Sequence, residues 1–110
     1  MGRGFRVEFA KAAEDDLLDI LAWYTSHNTP EAGARLVAAV LERVRQLAQF
    51  PDSGRIVPEF DSPRLRELEM SPYRIVYRRE EAMVTVVRVW RSERLMDPNL
   101  EGNAWQAVAD

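Results

Sequence analysis

The chain predicts an α+β domain: a strand, an antiparallel helical hairpin, then a three-stranded antiparallel meander, with the helices packed on one face of the sheet. Three observations carry this. Residues 5–9, 73–78 and 83–91 repeat their apolar side chains with a period near two, as half-buried strands do. Residues 11–26 and 30–49 repeat theirs at helical spacing. Short segments rich in Pro, Gly, Asn, Asp and Ser separate these stretches.

Phe5, Val7 and Phe9 alternate with Arg6 and Glu8 and face the core of a first strand. In the first helix Ala13, Leu17, Ile20, Leu21 and Tyr24 form one stripe. Glu14, Asp15 and Asp16 sit in its first turns, where the positive end of the helix dipole favours acids. Together with Asp19 they suggest a metal cluster, but consecutive carboxylates on a helix point apart, so a solvated face is expected. Leu18 lies off the stripe and reads as a scattered exposed leucine or a partner contact. Thr29 suits an N-cap and Pro30 the first turn of the second helix. That helix presents Leu36, Val37, Val40, Leu41, Val44, Leu47 and Ala48 on one face. Its short connection to the first helix implies an antiparallel pair. His27, in that connection, reads as a solvated loop residue.

The turn at 50–55 ends the helix, and residues 56–63, with prolines at 58 and 63, predict only a connection to the sheet. Strands follow at 65–70, 73–78 and 83–91. Tyr73, Ile75 and Tyr77 share one face of the second, opposite Arg74, Val76 and Arg78. In the third, Val84, Val86 and Trp90 point one way with Arg88 among them, and Val87 and Val89 the other. A strand apolar on both faces is normally covered twice. The helices supply one cover; the tail, through Leu100, Trp105 and Val108, or a second protein supplies the other.

The 110 residues suit one domain, here 1–96, followed by a tail at 97–110. Cysteine is absent, which removes disulfides and thiolate chemistry; a single histidine removes a multi-histidine metal site. No metal and no cofactor are expected. No apolar run approaches the roughly 20 residues of a membrane span, and residues 1–9 lack a signal-peptide core, so a cytoplasmic location is expected. Net charge is −3, against general nucleic-acid affinity. The charge is uneven: residues 64–94 hold eight Arg and five Glu, while the remainder holds seven basic and thirteen acidic residues. Fourteen of the fifteen basic residues are arginine, which fits composition bias or the recognition of phosphate and carboxylate groups. Arg74 in mid-strand reads either as a ligand for such a group or as half of an ion pair with a neighbouring Glu.

These stretches resemble the ParE/RelE superfamily of bacterial toxins, the toxic halves of type II toxin–antitoxin pairs. A-A-E-D-D-L-L-D-I-L-A-W-Y at 12–24 is similar to the family's first-helix pattern, and L-A-Q-F-P-D-S-G-R at 47–55 to the end of its second helix. L-R-E-L at 65–68 and Y-R-I-V-Y-R at 73–78 resemble its strands. The resemblance implies one of two activities: poisoning of DNA gyrase by ParE-type members, or cleavage of mRNA in the ribosomal A site by RelE-type members. The long hairpin and the Trp23-Tyr24 pair look more like the ParE branch. For an endonuclease the resemblance would assign Arg66, Arg74, Arg91 and Arg94 to the chemistry. Arginine stays protonated at neutral pH and is a poor base, and residues 89–96 hold no Tyr or His. The favoured expectation is therefore a gyrase inhibitor without catalytic residues, with Arg91 and Arg94 contacting the target. The alternatives are the endonuclease, or a non-toxic homologue that only binds antitoxin. The implied partner is a cognate antitoxin with a ribbon-helix-helix DNA-binding domain, which alone contacts operator DNA. Leu18, Arg74, Val86, Arg88 and Trp90 are its expected contacts.

Overall fold

A computed structural model of the chain describes residues 4–60 and 62–91. The chain runs β1 (Arg6–Phe9), α1 (Lys11–Ser26), α2 (Pro30–Arg45), a 3-10 turn (Gln46–Ala48), β2 (Arg55–Ile56), β3 (Leu65–Met70), β4 (Tyr73–Arg79) and β5 (Met83–Arg91). The sheet has five strands in the order β1-β5-β4-β3-β2. β1 joins β5 in parallel; every other pair is antiparallel. The helical hairpin carries the chain away from β1, and the meander returns β5 to lie beside it.

The expected elements form, with two additions. The second helix ends at Arg45 and tightens into the 3-10 turn. Arg55 and Ile56 pair with Glu67 and Arg66, making a short fifth strand inside a segment whose sequence predicts turn and connection. A strand of two residues is too short to show an alternating pattern in the sequence.

The hairpin turns through Asn28, whose φ of 63° is left-handed, a conformation asparagine tolerates. Thr29 occupies the N-cap position of α2, yet its hydroxyl donates back to the Tyr24 carbonyl at 3.2 Å and does not cap the helix. The helices then approach closely: a Cβ on Gly33 would lie 2.8 Å from the Tyr24 Cβ. Ala13 and Ile20 from α1, and Val40, Val44 and Leu47 from α2 and its 3-10 turn, pack on Leu68, Tyr73, Ile75, Tyr77, Val84, Val86 and Val89 of the sheet. Leu41, expected on this face, is 44% exposed because it lies at the edge of the stripe.

β5 departs from simple alternation. Val86 pairs with Tyr77 and Arg88 with Val76, which leaves Val87 as an extra residue. Such a bulge shifts the phase of every side chain after it. Val84 and Val86, before the bulge, face the helices and so does Val89 after it, while Val87 and Trp90 join Val57, Leu65, Val76 and Phe60 on the outer face. This corrects the predicted grouping of Val84 and Val86 with Trp90. Among the described residues Val57 and Phe60, from the passage between β2 and β3, pack on the outer face. Residues 97–110 lie outside the described residues.

The 50–55 turn is held against the sheet by one phenol. Tyr77 is fully buried, donates to the Pro51 carbonyl at 2.8 Å and accepts from the Gly54 N–H at 2.9 Å. A Cβ on Gly54 would lie 2.6 Å from the Glu67 carbonyl oxygen and 2.7 Å from the Tyr77 hydroxyl, so only glycine fits there. Tyr77→Phe leaves the Gly54 N–H without its acceptor and is expected to cost about 1–3 kcal/mol, read by urea denaturation. Burial pushes the Tyr77 phenol above its ordinary 10.0. With the folded value raised, the unfolded chain releases that proton first. This contribution is therefore complete below about pH 10 and is lost as pH climbs past the folded value. Denaturation midpoints measured up to about pH 11 should fall less steeply in Tyr77→Phe than in the unaltered chain.

Candidate interaction site

Two constellations hold some of the residues singled out by the sequence, Arg74 in one and Arg88, Trp90 and Arg91 in the other. The first lies on the outer face. β3 and β4 pair with Glu67 opposite Val76 and Glu69 opposite Arg74, so Arg74 is a diagonal neighbour of Glu67. The Glu67 side chain is 1% exposed and that of Arg74 10%. Arg74 donates to Glu67 Oε1 through both Nε and Nη2, and Arg55 Nε donates to Glu67 Oε2 at 2.5 Å. Glu59, from the covering passage, adds longer contacts to Arg74 at 3.4 Å. Burial alone would lower the Arg74 pKa, but the hydrogen bonds to Glu59 and Glu67 outweigh it and the pKa is raised. Arg74 is thus a firmly protonated structural cation, the ion-pair reading of its sequence position.

The second constellation is a groove of about 530 Å³ between α1 and the end of β5. β1 ends at Phe9, opposite Val86, while β5 continues to Arg91. Beyond Val86 no strand flanks β5 on that side among the described residues, and α1 takes over there. Asp16 Oδ2 accepts the Val89 N–H at 2.9 Å and Arg88 Nε at 2.8 Å, and Oδ1 accepts Arg88 Nη2 at 3.0 Å. One carboxylate thereby satisfies an edge amide and fixes a guanidinium, which lies 4.4 Å from the centroid of the Trp90 ring. Ile20, Trp23, Tyr73, Val89 and Trp90 line the groove, with Asp19 and Arg91 beside them. Trp23 is 51% exposed and stacks on His27 at 3.8 Å. Arg91 lies 5.7 Å from the Tyr73 ring centroid. Burial pushes the Tyr73 phenol up, and Tyr24 adds to this, against an opposing pull from Arg91.

The sequence candidates are therefore dispersed. Arg66 donates to the backbone carbonyls of Pro63 and Gly54 and tethers the β2–β3 end. Arg74 is on the outer face and Arg91 at the groove; Arg94 lies outside the described residues. Of the expected antitoxin contacts, Arg88 and Trp90 meet at the groove, and Leu18 stands 62% exposed on α1. Val86 is 0% exposed beneath the helices and has no surface to offer a partner, a consequence of its phase before the bulge. Asp16, predicted to be solvated, ties α1 to β5, and its side chain is only 11% exposed. Nothing local in the sequence distinguishes it from Asp15, which pairs with Lys11 at the surface. The exposed aromatic Trp23 was the legible signal for the groove. Among the described residues no three His, Cys, Asp or Glu side chains converge as a metal site.

A strand, a helical hairpin and a meander with this order are shared with toxin–antitoxin structures. The chain superposes on the chromosomal ParDE toxin–antitoxin system from P. aeruginosa with a TM-score of 0.69 and 24% identity, over 81% of this chain and 97% of that one. On the RelBE2 toxin–antitoxin complex from Mycobacterium tuberculosis the TM-score is 0.58 at 23% identity, over 81% and 99%. At these identities the likeness is one of fold. The family itself is established by sequence: residues 7–96 match the model of the ParE toxin of the type II toxin–antitoxin system parDE. The chain belongs to the ParE toxin family, within the ParE/RelE superfamily. A comparison with curated proteins gives no significant match.

Removing one partner of a buried pair strands the other charge. Arg74→Ala is expected to cost about 3 kcal/mol in chemical denaturation, while a double change of Arg74 and Glu67 to Met should cost clearly less than the sum of the two single changes. Asp16→Asn should cost about 1.5–3 kcal/mol, with faster hydrogen exchange at the Val89 amide than at amides in β3.

Proposed function

We propose that this toxin inhibits DNA gyrase by protein–protein contact and is neutralised by a cognate antitoxin that carries a ribbon-helix-helix DNA-binding domain. The observation that supports this reading is how its arginines are used. Cleavage of RNA needs groups that take and give a proton near the phosphate. Arg66 is committed to backbone carbonyls and Arg74 to Glu67 and Glu59, far from free to serve there. The groove instead presents aromatic and aliphatic surface with Arg88 and Arg91 at its side, the composition of a protein contact.

In this reading Arg91 and Arg94 contact gyrase. The antitoxin segment lies over Leu18 and the Arg88–Trp90 end of β5, and operator DNA is reached only through the antitoxin. No described helix is long and apolar enough to cross a membrane, and the proposed place of action is the cytoplasm, where gyrase works.

Purified protein added to a gyrase supercoiling assay should inhibit it, while a translating extract should show no cleavage of mRNA. Cleavage without any effect on supercoiling would overturn the proposal in favour of the endonuclease. Growth that continues on induced expression without antitoxin would favour the non-toxic binding module. Arg91→Ala combined with Arg94→Ala should weaken gyrase inhibition about tenfold or more, equivalent to at least about 1.4 kcal/mol, with the circular dichroism spectrum unchanged.

A further inference from the structure

α1 presents two carboxylates to the groove, Asp16 and Asp19, and they are used differently. Asp16 accepts Arg88 Nε at 2.8 Å and Nη2 at 3.0 Å, and that guanidinium lies 4.4 Å from the Trp90 ring centroid. Carboxylate, guanidinium and indole form one unit supplied entirely by this chain. One turn along α1 two of the three residue types recur. Asp19 and Trp23 are four residues apart, so they share a side of the helix, and both line the groove. No cation among the described residues pairs with Asp19, whereas Asp15 beside it is held by Lys11 and Asp16 by Arg88. Asp19 is exposed, and Trp23 is 51% exposed.

The distribution of charge favours a cation at this wall. Asp16 and Arg88 cancel at contact distance. Arg91 belongs to the strand wall, 5.7 Å from the Tyr73 ring centroid, and repels a second cation there. Asp19 is left as the unmatched charge on the α1 wall. Ile20 and Val89 add aliphatic lining beside it. An arginine fits such a place: its stem packs on apolar surface while its planar fork reaches a carboxylate, as Arg88 does at Asp16.

We propose that the partner segment seated in this groove, the antitoxin's in the reading above, brings an arginine on an apolar stretch, with its guanidinium at Asp19 and its stem along Trp23. The partner then completes the second unit as Arg88 completes the first. The inference rests on that reading of the groove and adds the chemistry the segment must carry.

A capped peptide, Ala-Leu-Arg-Leu-Ala, tests it on the full chain, beside copies with Gln or Glu in place of the Arg. At millimolar concentration the Arg peptide should shift the Trp23 indole signal in nuclear magnetic resonance spectra. It should bind about threefold or more tightly than the Gln peptide, the scale of one exposed ion pair, and the Glu peptide should bind weakest. Asp19→Asn should remove the preference of Arg over Gln, and Asp19→Lys should turn it toward Glu. Equal or tighter binding of the Glu peptide to the unaltered chain would overturn the proposal and assign the groove to an acidic partner. A preference that survives Asp19→Asn, or a Trp23 signal that moves with none of the peptides, would overturn it as well. The peptides report the groove alone, so a chain that leaves gyrase uninhibited would still show the preference, and the two failures are told apart.

Discussion

β5 is apolar on both faces and sits between β1 and β4, so two separate layers must cover it. Much of the rest of the structure follows from that requirement. The helical hairpin covers one face through Ala13, Ile20, Val40, Val44 and Leu47. Val57 and Phe60 cover the other by returning the chain across Leu65, Val76, Val87 and Trp90. The bulge at Val87 makes this possible, because it turns Trp90 outward while leaving Val89 beneath α1. Without it, the residues that end β5 would present their large ring to the helices and a valine to the outer layer.

The arginine-rich sheet is neutralised largely from within. Arg64 and Arg78 pair with Glu80, Arg66 and Arg79 with Asp52, Arg74 with Glu67 and Glu59, and Arg88 with Asp16. Several of these acids come from the helices and the connection, the acidic part of the sequence. The uneven charge along the chain is therefore mostly cancelled in space. The exposed pairs contribute little to stability. The Glu67–Arg74 pair is different: both side chains are out of water, so the geometry has to compensate their desolvation, and the two hydrogen bonds from Arg74 together with Arg55 do so.

A single carboxylate closes the open edge of this architecture. Where β1 stops, the edge of β5 would expose its amides to any passing strand. Asp16 fills that place for Val89 and holds Arg88 over Trp90. The remaining recess is lined by Trp23, Tyr73 and Trp90, of which Trp23 is the exposed one. The same stretch of sequence, Y-R-I-V-Y-R, that marks the family supplies mainly core: Tyr77 holds a turn, Ile75 and Val76 fill opposite faces, and Arg74 anchors the cover.

The sequence alone determined the elements and their order, because helical and strand periods are local properties of consecutive side chains. It also determined the family, through motifs lying on those elements. Arg74 as a candidate ion pair and Leu18 as an exposed leucine were readable in the same way. What only the tertiary structure decided depends on partners distant in sequence. The bulge at Val87 separates Trp90 from Val84 and Val86 and turns it to the outer face, since a phase shift is set by pairing with β4 and leaves no mark on β5 itself. Asp16 differs from Asp15 only in facing Arg88, seventy-two residues away. The cover at Val57 and Phe60, on either side of Pro58, became visible only when the outer face it fills was in view.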